Sequence, residues 1–493
     1  MKTRELLACI ETVDVKGPAD TDVLGIACDS RQVRPGMVFA ALPGRNEDGW
    51  RFAAEAVRRG AVAVVGEHDP GAGRTPFGPD VCLARVADAR RALADLSAAF
   101  YQYPAAELLT VGITGTNGKT TTAYMVRDVL QADGRSPGLV STVQYEIGER
   151  VIPAVRTTPE APALQALLAQ MVDAGCRSAV MEVSSHALDQ QRVNGTDIDI
   201  GVFTNLTRDH LDYHGSMEAY FDAKMRLFRA LGRGGKSGLA VVNTDDPWGQ
   251  RIDHAADVTA DRLTYGTDPT AAIQACDIRL GPEGSAFRVL TPWGETEIRT
   301  TLMGRFNVSN LLAALGAVCA AGVQLELAAR VLSSQISVTG RLERIANPLG
   351  IQVFVDYAHT DDALRHVLAT LREVTARRLI VVVGCGGNRD RSKRPAMGAV
   401  AAKLADAALL TADNPRGEDP RAIIREMEAG IDRCACCEVI VDRRDAIFRA
   451  IAMAEPGDVV LIAGKGHETF QEFANRTAPF DDRQVAREAL ERR

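Results

Sequence analysis

A chain of 493 residues is too long for one ordinary hydrophobic core, and domains of ~100–200 residues predict three units. Apolar residues make up 46% and charged residues 25%, a globular composition that argues against disorder. A net charge of −7, with Lys and Arg scattered along the chain, argues against a nucleic-acid surface.

The first stretch, MKTRELLACIETVDV, meets acidic residues after a few apolar ones and lacks the apolar core of a signal peptide. The longest apolar runs, such as RLIVVVG, fall far short of the ~18 residues that span a bilayer. A soluble, cytoplasmic protein is the expectation. Residues 1–108 predict a small α/β unit. VLGIACDSRQVRPGMVFAAL has the pattern of strand, turn and strand, GWRFAAEAVRRG has helical spacing, and AVAVVGE is a short buried strand. AAFYQYPAAE closes the unit with a proline-marked connection.

Residues 109–340 predict a central unit of repeated strand, loop and helix. LLTVGITG, SAVMEVSS, IGVFTN and GLAVVNTD are continuous apolar runs that end in polar residues, as expected for strands buried on both faces of a mainly parallel sheet. Residues 341–493 predict a third, Rossmann-like α/β unit from IQVFVDYAH, RLIVVVGCGG, DAALLTADN and GDVVLIAGKG. Open α/β sheets bind ligands at the carboxyl ends of their strands, and the Asp413-Asn414-Pro415-Arg416 cluster lies at such an end. By itself that cluster reads equally as a turn with a surface ion pair or as a binding clamp.

The ten cysteines, without a secretion signal, read as reduced thiols. Cys434 and Cys437 form a C-x-x-C with no partner pair in sight, so incidental cysteines are the expectation there.

The segment VGITGTNGKTTTAYMV carries the most chemistry. A buried strand enters a loop with Gly115, Thr116, Asn117 and Gly118, and Lys119, Thr120 and Thr121 open a helix. Backbone N–H groups of such a loop cradle phosphate oxygens, Lys119 reaches the terminal phosphates, and the Thr120 hydroxyl suits Mg²⁺. The usual P-loop spacing wants glycine at position 113, where this chain has Ile113. ATP or another nucleoside triphosphate is the predicted ligand. Glu182, at a strand end, is a further oxygen donor for Mg²⁺. His210 and His214 are spaced H-x₃-H but lack a third zinc ligand, so His214 reads as a surface or capping histidine. Lys224 alone reads as a solvated helix lysine. GCGGNRD and AGKGHE do not spell G-x-G-x-x-G, which argues against NAD.

Taken in order, GTNGKTT, MEVSSH, TNLTRDHLDYHG, FDAK, GRFNVSNLLAA, GRLE, DYAHTDDAL, GCGGNRDRSKRP, TADNPR and AGKGHE resemble the Mur ligase family along almost the whole chain. Within it the pattern is similar to the MurE-type branch, which adds the third residue of the peptidoglycan stem. The resemblance implies an ATP-dependent amide ligase acting through an acyl phosphate. The carboxylate would be the D-glutamate side chain of UDP-N-acetylmuramoyl-L-alanyl-D-glutamate, and the amine that of meso-2,6-diaminopimelate.

The resemblance also implies site residues. Thr120, Glu182 and His210 would serve the metal, with Lys224 carbamylated by CO₂ as an anionic ligand, and Lys119, Lys224, His210 and Glu182 would carry catalysis. ATP would further meet Asn307, Asn310, Arg341, Asp356 and His359. The two asparagines also read as helix N-caps. The sugar nucleotide would meet Ser30, Arg45, Asn46, Glu47, Thr157, Thr158, Ser184, Gln190 and Arg192. The diamino acid would meet Arg389, Asp413, Asn414, Pro415, Arg416, Gly464 and Glu468, with Arg416 marking the diaminopimelate type. A monomer is expected. The alternatives are another ligase of the superfamily, of the folylpolyglutamate or D-alanyl-D-alanine-adding type, and a P-loop switch or ATPase without ligase chemistry.

Overall fold

The computed structural model describes residues 1–44, 47–68, 77–281, 283–334, 338–432 and 436–493. Three sheets hold nearly all the strands. The first has five, in the order Asp14–Lys16, Cys82–Arg85, Ala63–Gly66, Met37–Ala41 and Gly25–Ala27, with only the Asp14–Lys16 edge antiparallel.

The second sheet has eleven strands, and its middle is parallel. From Ile273–Gly281 it runs through Asp261–Gly266, Leu239–Asn243, Ile200–Phe203, Leu109–Thr114 and Ser178–Glu182 to Pro137–Val140. Antiparallel hairpins extend both sides: Gly284–Thr291 with Gly294–Thr300 on one, and Gln144–Ile147 with Arg150–Pro153 on the other. The continuous apolar runs are explained by burial on both faces. Val180 packs into one core with Val111 and Ile113, while its neighbours Ala179 and Met181 pack into the opposite core. Each such Val, Ile or Met contributes about 1.5–3 kcal/mol by leaving water.

The third sheet has six strands in the order Glu343–Ile345, Gln352–Asp356, Val459–Ala463, Leu379–Val383, Ala407–Leu410 and Cys437–Val439. All but the first pair are parallel. A separate hairpin, Phe470–Phe473 with Arg476–Pro479, follows the Val459–Ala463 strand. Helices pack on both faces of the second and third sheets, so their polar strand ends are left as the open surface where ligands bind. Cys434 lies outside the described residues. Cys82, Cys176, Cys319 and Cys385 are buried thiols. Among the described residues no helix is long and apolar enough to cross a membrane.

Candidate functional site

The phosphate loop begins where the Leu109–Thr114 strand ends and closes on Gly118, the residue that starts the helix Lys119–Ala132. Ile113 is fully buried within that strand, so the loop turns at Gly115 instead of at position 113. Two glycines are sterically required. Gly115 has φ +151°, and a Cβ there would lie 1.9 Å from Thr204 Oγ1. Gly118 has φ +84°, and a Cβ would lie 2.2 Å from Asn310 Oδ1. The loop is pinned from the next strand. Thr116 N–H donates to the Asn205 carbonyl (2.8 Å) and Asn117 N–H to Asn205 Oδ1 (2.9 Å). Thr204 Oγ1 donates to the Asn117 carbonyl (2.6 Å). The N–H groups at the start of the helix therefore point into a preshaped cradle, with the positive end of the helix dipole behind them.

Two ammonium groups converge below this loop. Lys119 Nζ donates to the carbonyls of Gly115 (2.9 Å) and Thr116 (2.7 Å), and Lys224 Nζ donates to the same Gly115 carbonyl (2.8 Å). Lys224 comes from the helix Met217–Ala230, which Ser216 caps, and is fully buried with its Nζ 4.5 Å over the Tyr220 ring. Burial, reinforced by the charge of Lys119, lowers the Lys224 amine well below the ordinary lysine value. A solvated helix lysine is thus ruled out by position.

Glu182 is fully buried at the end of its strand. Its two carboxylate oxygens accept from the backbone N–H (2.8 Å) and hydroxyl (3.0 Å) of Thr142. His210 takes a left-handed backbone (φ +53°), its ring stands 4.8 Å from that of His186, and its Nε2 is 3.4 Å from Asp209. Burial opposes ionisation of Asp209, but His210, His359 and Lys393 outweigh it and hold the carboxyl below its usual value. His214 contacts Ser185 Oγ (3.0 Å) and stacks on Tyr220. Among the described residues no three His, Cys, Asp or Glu side chains converge as a ready-made metal site.

The linker, a helix and a loop around the third sheet reach the phosphate loop and the segment beside it. Arg341 Nη2 donates to Thr120 Oγ1 (2.9 Å), Asn117 Nδ2 to Asp362 (3.2 Å), and Arg208 Nη2 to Ser392 Oγ (2.7 Å). Arg341 sits between Gly340 (φ +68°) and Leu342 (φ +44°), and its guanidinium lies 4.6 Å over the Tyr357 ring. Asp356 is buried, and both of its oxygens accept backbone N–H groups, from Leu342 (2.6 Å) and Ala358 (2.7 Å). It therefore holds the linker in place. His359 Nδ1 contacts the Tyr357 carbonyl (2.9 Å), and Lys393 Nζ donates to the His359 carbonyl (2.8 Å). Burial and the charge of Lys393 lower the His359 imidazole to about 4.

Asn307 and Asn310 do not cap their helix, as the sequence suggested. Gly304 is the capping residue of Arg305–Ala320 and makes no side-chain cap. Asn307 Nδ2 instead donates back to the Met303 carbonyl (2.9 Å), and Asn310 Nδ2 to Asn307 Oδ1 (3.2 Å), which leaves Asn310 packed against Gly118.

A cavity of about 1220 Å³ opens beside the first sheet. Ser30, Glu47, Gln190 and Arg192 line it, joined by Arg90 and Arg156. Arg45 and Asn46 lie outside the described residues. Ser30 Oγ donates to Glu55 (3.0 Å), and Arg192 donates to the Thr158 carbonyl (3.0 Å) and Gln190 Oε1 (2.6 Å). Thr157, Thr158 and Ser184 do not line the cavity. They lie between it and the phosphate loop: Thr157 Oγ1 is 3.1 Å from Thr142 Oγ1, Thr158 Oγ1 donates to the Glu182 carbonyl (2.8 Å), and Ser184 N–H donates to Thr158 Oγ1 (3.1 Å).

A polar pocket forms where two strands of the third sheet end. Asp413 and Asn414 are buried beside Lys465, whose Nζ donates to Asn414 Oδ1 (2.9 Å) and Glu468 Oε2 (2.8 Å). Asn414 Nδ2 donates to Glu468 (2.9 Å). Gly464 has φ +116°, and a Cβ there would lie 2.9 Å from Asp413 Oδ2. The Pro415 carbonyl accepts from Glu418 N–H (3.0 Å), so the turn reading of DNPR holds in part. Arg416 is left-handed (φ +49°). Its Nε donates to Glu472 Oε2 (2.7 Å) and its Nη1 to the Gly387 carbonyl (2.9 Å). Arg389 is exposed on the neighbouring loop, its Cγ near Gly386 where Arg416 also approaches.

Three family models cover most of the chain: the Mur ligase family catalytic domain at residues 22–101, the Mur ligase middle domain at 113–318, and the Mur ligase glutamate ligase domain at 340–466. The chain belongs to the Mur ligase family. A UDP-N-acetylmuramoyl-L-alanyl-D-glutamate–2,6-diaminopimelate ligase of Geobacillus kaustophilus is 46% identical over 497 residues, covering 100% of both chains. One of the same description from Gloeobacter violaceus is 46% identical over 100% of this chain and 99% of its own. A solved ligase of that description is 34% identical, with a TM-score of 0.70 over 100% of this chain and 99% of its own. MurF from Acinetobacter baumannii, at 20% identity and a TM-score of 0.68 over 99% of this chain and 98% of its own, shares the fold.

The geometry of this Mur ligase adds residues that motif reading passed over. Thr204 and Asn205 secure the phosphate loop, Thr142 aims Glu182, and Lys465 and Glu472 organise the DNPR pocket. Thr204, Asn205 and Lys465 stand inside motifs already quoted, TNLTRDH and AGKGHE, so their signal was present. Thr142 and Glu472 lie outside any such motif, and only the fold brings them in.

Proposed function

We propose that this Mur ligase joins meso-2,6-diaminopimelate to the D-glutamate side-chain carboxylate of UDP-N-acetylmuramoyl-L-alanyl-D-glutamate, using ATP, in peptidoglycan precursor synthesis. The observation that carries the reading is full-length 46% identity to ligases of that description. The geometry supports it. Its parts are a phosphate loop, a large cavity with arginines and the Arg416 side chain held by Glu472, on three sheets taken as units 1–108, 109–340 and 341–493.

The γ-phosphoryl of ATP passes to the carboxylate, giving ADP and an acyl phosphate. The amine attacks the acyl carbon, and the tetrahedral intermediate expels phosphate to leave the amide. In this reading the loop from Gly115 to Thr121 and Lys119 hold the phosphates. Arg341 adds a cation from the linker, Asn307 and Asn310 lie on the adenine side, and Asp356 and His359 close the ATP cleft. Positioning the reacting groups in such a cleft supplies up to about 7–11 kcal/mol of barrier lowering. Ser30, Arg45, Asn46, Glu47, Thr157, Thr158, Ser184, Gln190 and Arg192 take the sugar nucleotide. Asp413, Asn414, Gly464 and Glu468 take the amino-acid end, and Arg416 with Arg389 the distal carboxylate.

The donor chemistry suits Mg²⁺: the Thr120 hydroxyl, the Glu182 carboxylate already aimed by Thr142, and His210. Bound there, the cation offsets the charge of the phosphates. Unmodified Lys224 does not suit it, because its side chain offers no oxygen and its Nζ shares the Gly115 carbonyl with Lys119. Burial disfavours the charged form of this lysine, and its free amine reacts with CO₂, releasing a proton and giving an anionic carbamate. We assign Lys224 that modification. A cytoplasmic monomer completes the reading.

The test is ADP release and amide formation with meso-diaminopimelate, L-lysine and L-ornithine in parallel. Release that requires both the UDP-muramoyl dipeptide and diaminopimelate is expected. Release independent of both overturns the ligase assignment, and lysine use without diaminopimelate use overturns the substrate.

A further inference from the structure

We infer that Glu472 is the positioning residue that fixes which edge of the Arg416 guanidinium faces the substrate, and so sets preference for a diamino acid with a distal carboxylate. This rests on the diaminopimelate reading above. Glu472 grips the DNPR turn by three separate groups. Its carbonyl accepts from Arg416 N–H (2.9 Å), its N–H donates to Asn414 Oδ1 (3.0 Å), and its carboxylate accepts from Arg416 Nε (2.7 Å). The hairpin strand that carries it, Phe470–Phe473, is bridged to the turn where Arg416 meets Phe473.

A guanidinium has five N–H groups in one plane and binds a carboxylate bidentately through its Nε–Nη edge or its Nη1–Nη2 end. Here Nε is held by Glu472, and one Nη1 hydrogen by the Gly387 carbonyl. The side edge is closed at Nε, and what a ligand can still use is Nη2 with the second Nη1 hydrogen. Glu472 does not compete for these groups. It removes rotational freedom that an arginine otherwise loses on binding. The left-handed backbone at Arg416 is fastened through main-chain groups of Glu472, so truncating the Glu472 side chain leaves that fastening in place.

The experiment compares Glu472→Ala, Glu472→Asp and Glu472→Gln in the full-length enzyme, with KM and kcat for meso-diaminopimelate, L-lysine and ATP. Glu472→Ala raises the KM for diaminopimelate about tenfold, the scale of immobilising one long side chain. The KM for ATP stays within about twofold and lysine use is unchanged, so discrimination falls. Glu472→Gln keeps an acceptor at the same reach and stays within about threefold of wild type. Glu472→Asp keeps the charge but is one methylene short, and behaves like Glu472→Ala. A diaminopimelate KM unchanged in Glu472→Ala overturns the inference. So does Glu472→Asp behaving as wild type, which would make the role one of charge alone. Parallel loss of kcat with all substrates would assign Glu472 a merely structural role and also overturns it. Failure of the underlying reading shows separately, as wild-type enzyme that does not ligate diaminopimelate.

Discussion

Replacing Arg416 by alanine tests the amino-acid pocket most directly. In the structure the guanidinium uses one N–H on Glu472 and one on the Gly387 carbonyl, which leaves three N–H groups, enough to give a carboxylate two hydrogen bonds. Hydrogen bonds to charged groups contribute about 1.5–3 kcal/mol each. Since 21% of the side chain is still accessible, the lower end applies. The pair then contributes about 3 kcal/mol, or roughly 150-fold in affinity. The enzyme should fold as before, because the partner left behind, Glu472, is 43% accessible and remains hydrated. Steady-state ADP release with each substrate varied in turn is the assay. The KM for diaminopimelate should rise by about two orders of magnitude, with that for ATP nearly unchanged. A diaminopimelate KM close to that of wild type refutes the reasoning, and an equal rise for ATP shows that the pocket and the phosphate loop are not separable.

Three further outcomes are expected. Lys224→Ala abolishes ligation, and wild-type activity falls when dissolved CO₂ and bicarbonate are removed and returns when they are restored; ¹³C NMR with labelled bicarbonate detects the carbamate, and its absence from active enzyme removes that role. Asp482→Asn leaves the fully buried Arg443 without its carboxylate partner and destabilises the fold by about 3–5 kcal/mol, seen in denaturant unfolding. Stability falls as pH drops from about 6.5 towards 4. Burial holds His359 at about 4 and His467 at about 3, so between these pH values the unfolded chain binds protons that the folded chain does not. His467→Asn should flatten that slope in thermal melts, and an unchanged slope counts against the assignment.

The parallel strands were legible because burial on both faces writes continuous apolar runs such as LIVVV. The antiparallel strands at 144–153, 284–300 and 470–479 were not, since they are half-exposed and mix charged and apolar residues. Within the site, Gly115, Gly118 and Lys119 could be read locally, because strand, loop and helix are contiguous. Asn205 could not. Its role is a pair of hydrogen bonds to residues about ninety positions earlier, and no local pattern encodes that pairing. Glu472 was hidden for the same reason, 56 positions from the arginine it holds. Only the alternative reading of Asn307 and Asn310 as caps fails, because residue type near a helix start does not distinguish a capping oxygen from one packed against a neighbouring loop.

The linker around Arg341 has a consequence for the phosphate site. Its two left-handed neighbours and the Asp356 carboxylate fix the backbone on either side, while its side chain reaches the phosphate-loop hydroxyl. In the proposed reading the phosphate site is therefore shared across the linker, with one cation supplied from outside the loop that cradles the nucleotide. Displacing that side chain breaks a contact of the very hydroxyl assigned to Mg²⁺.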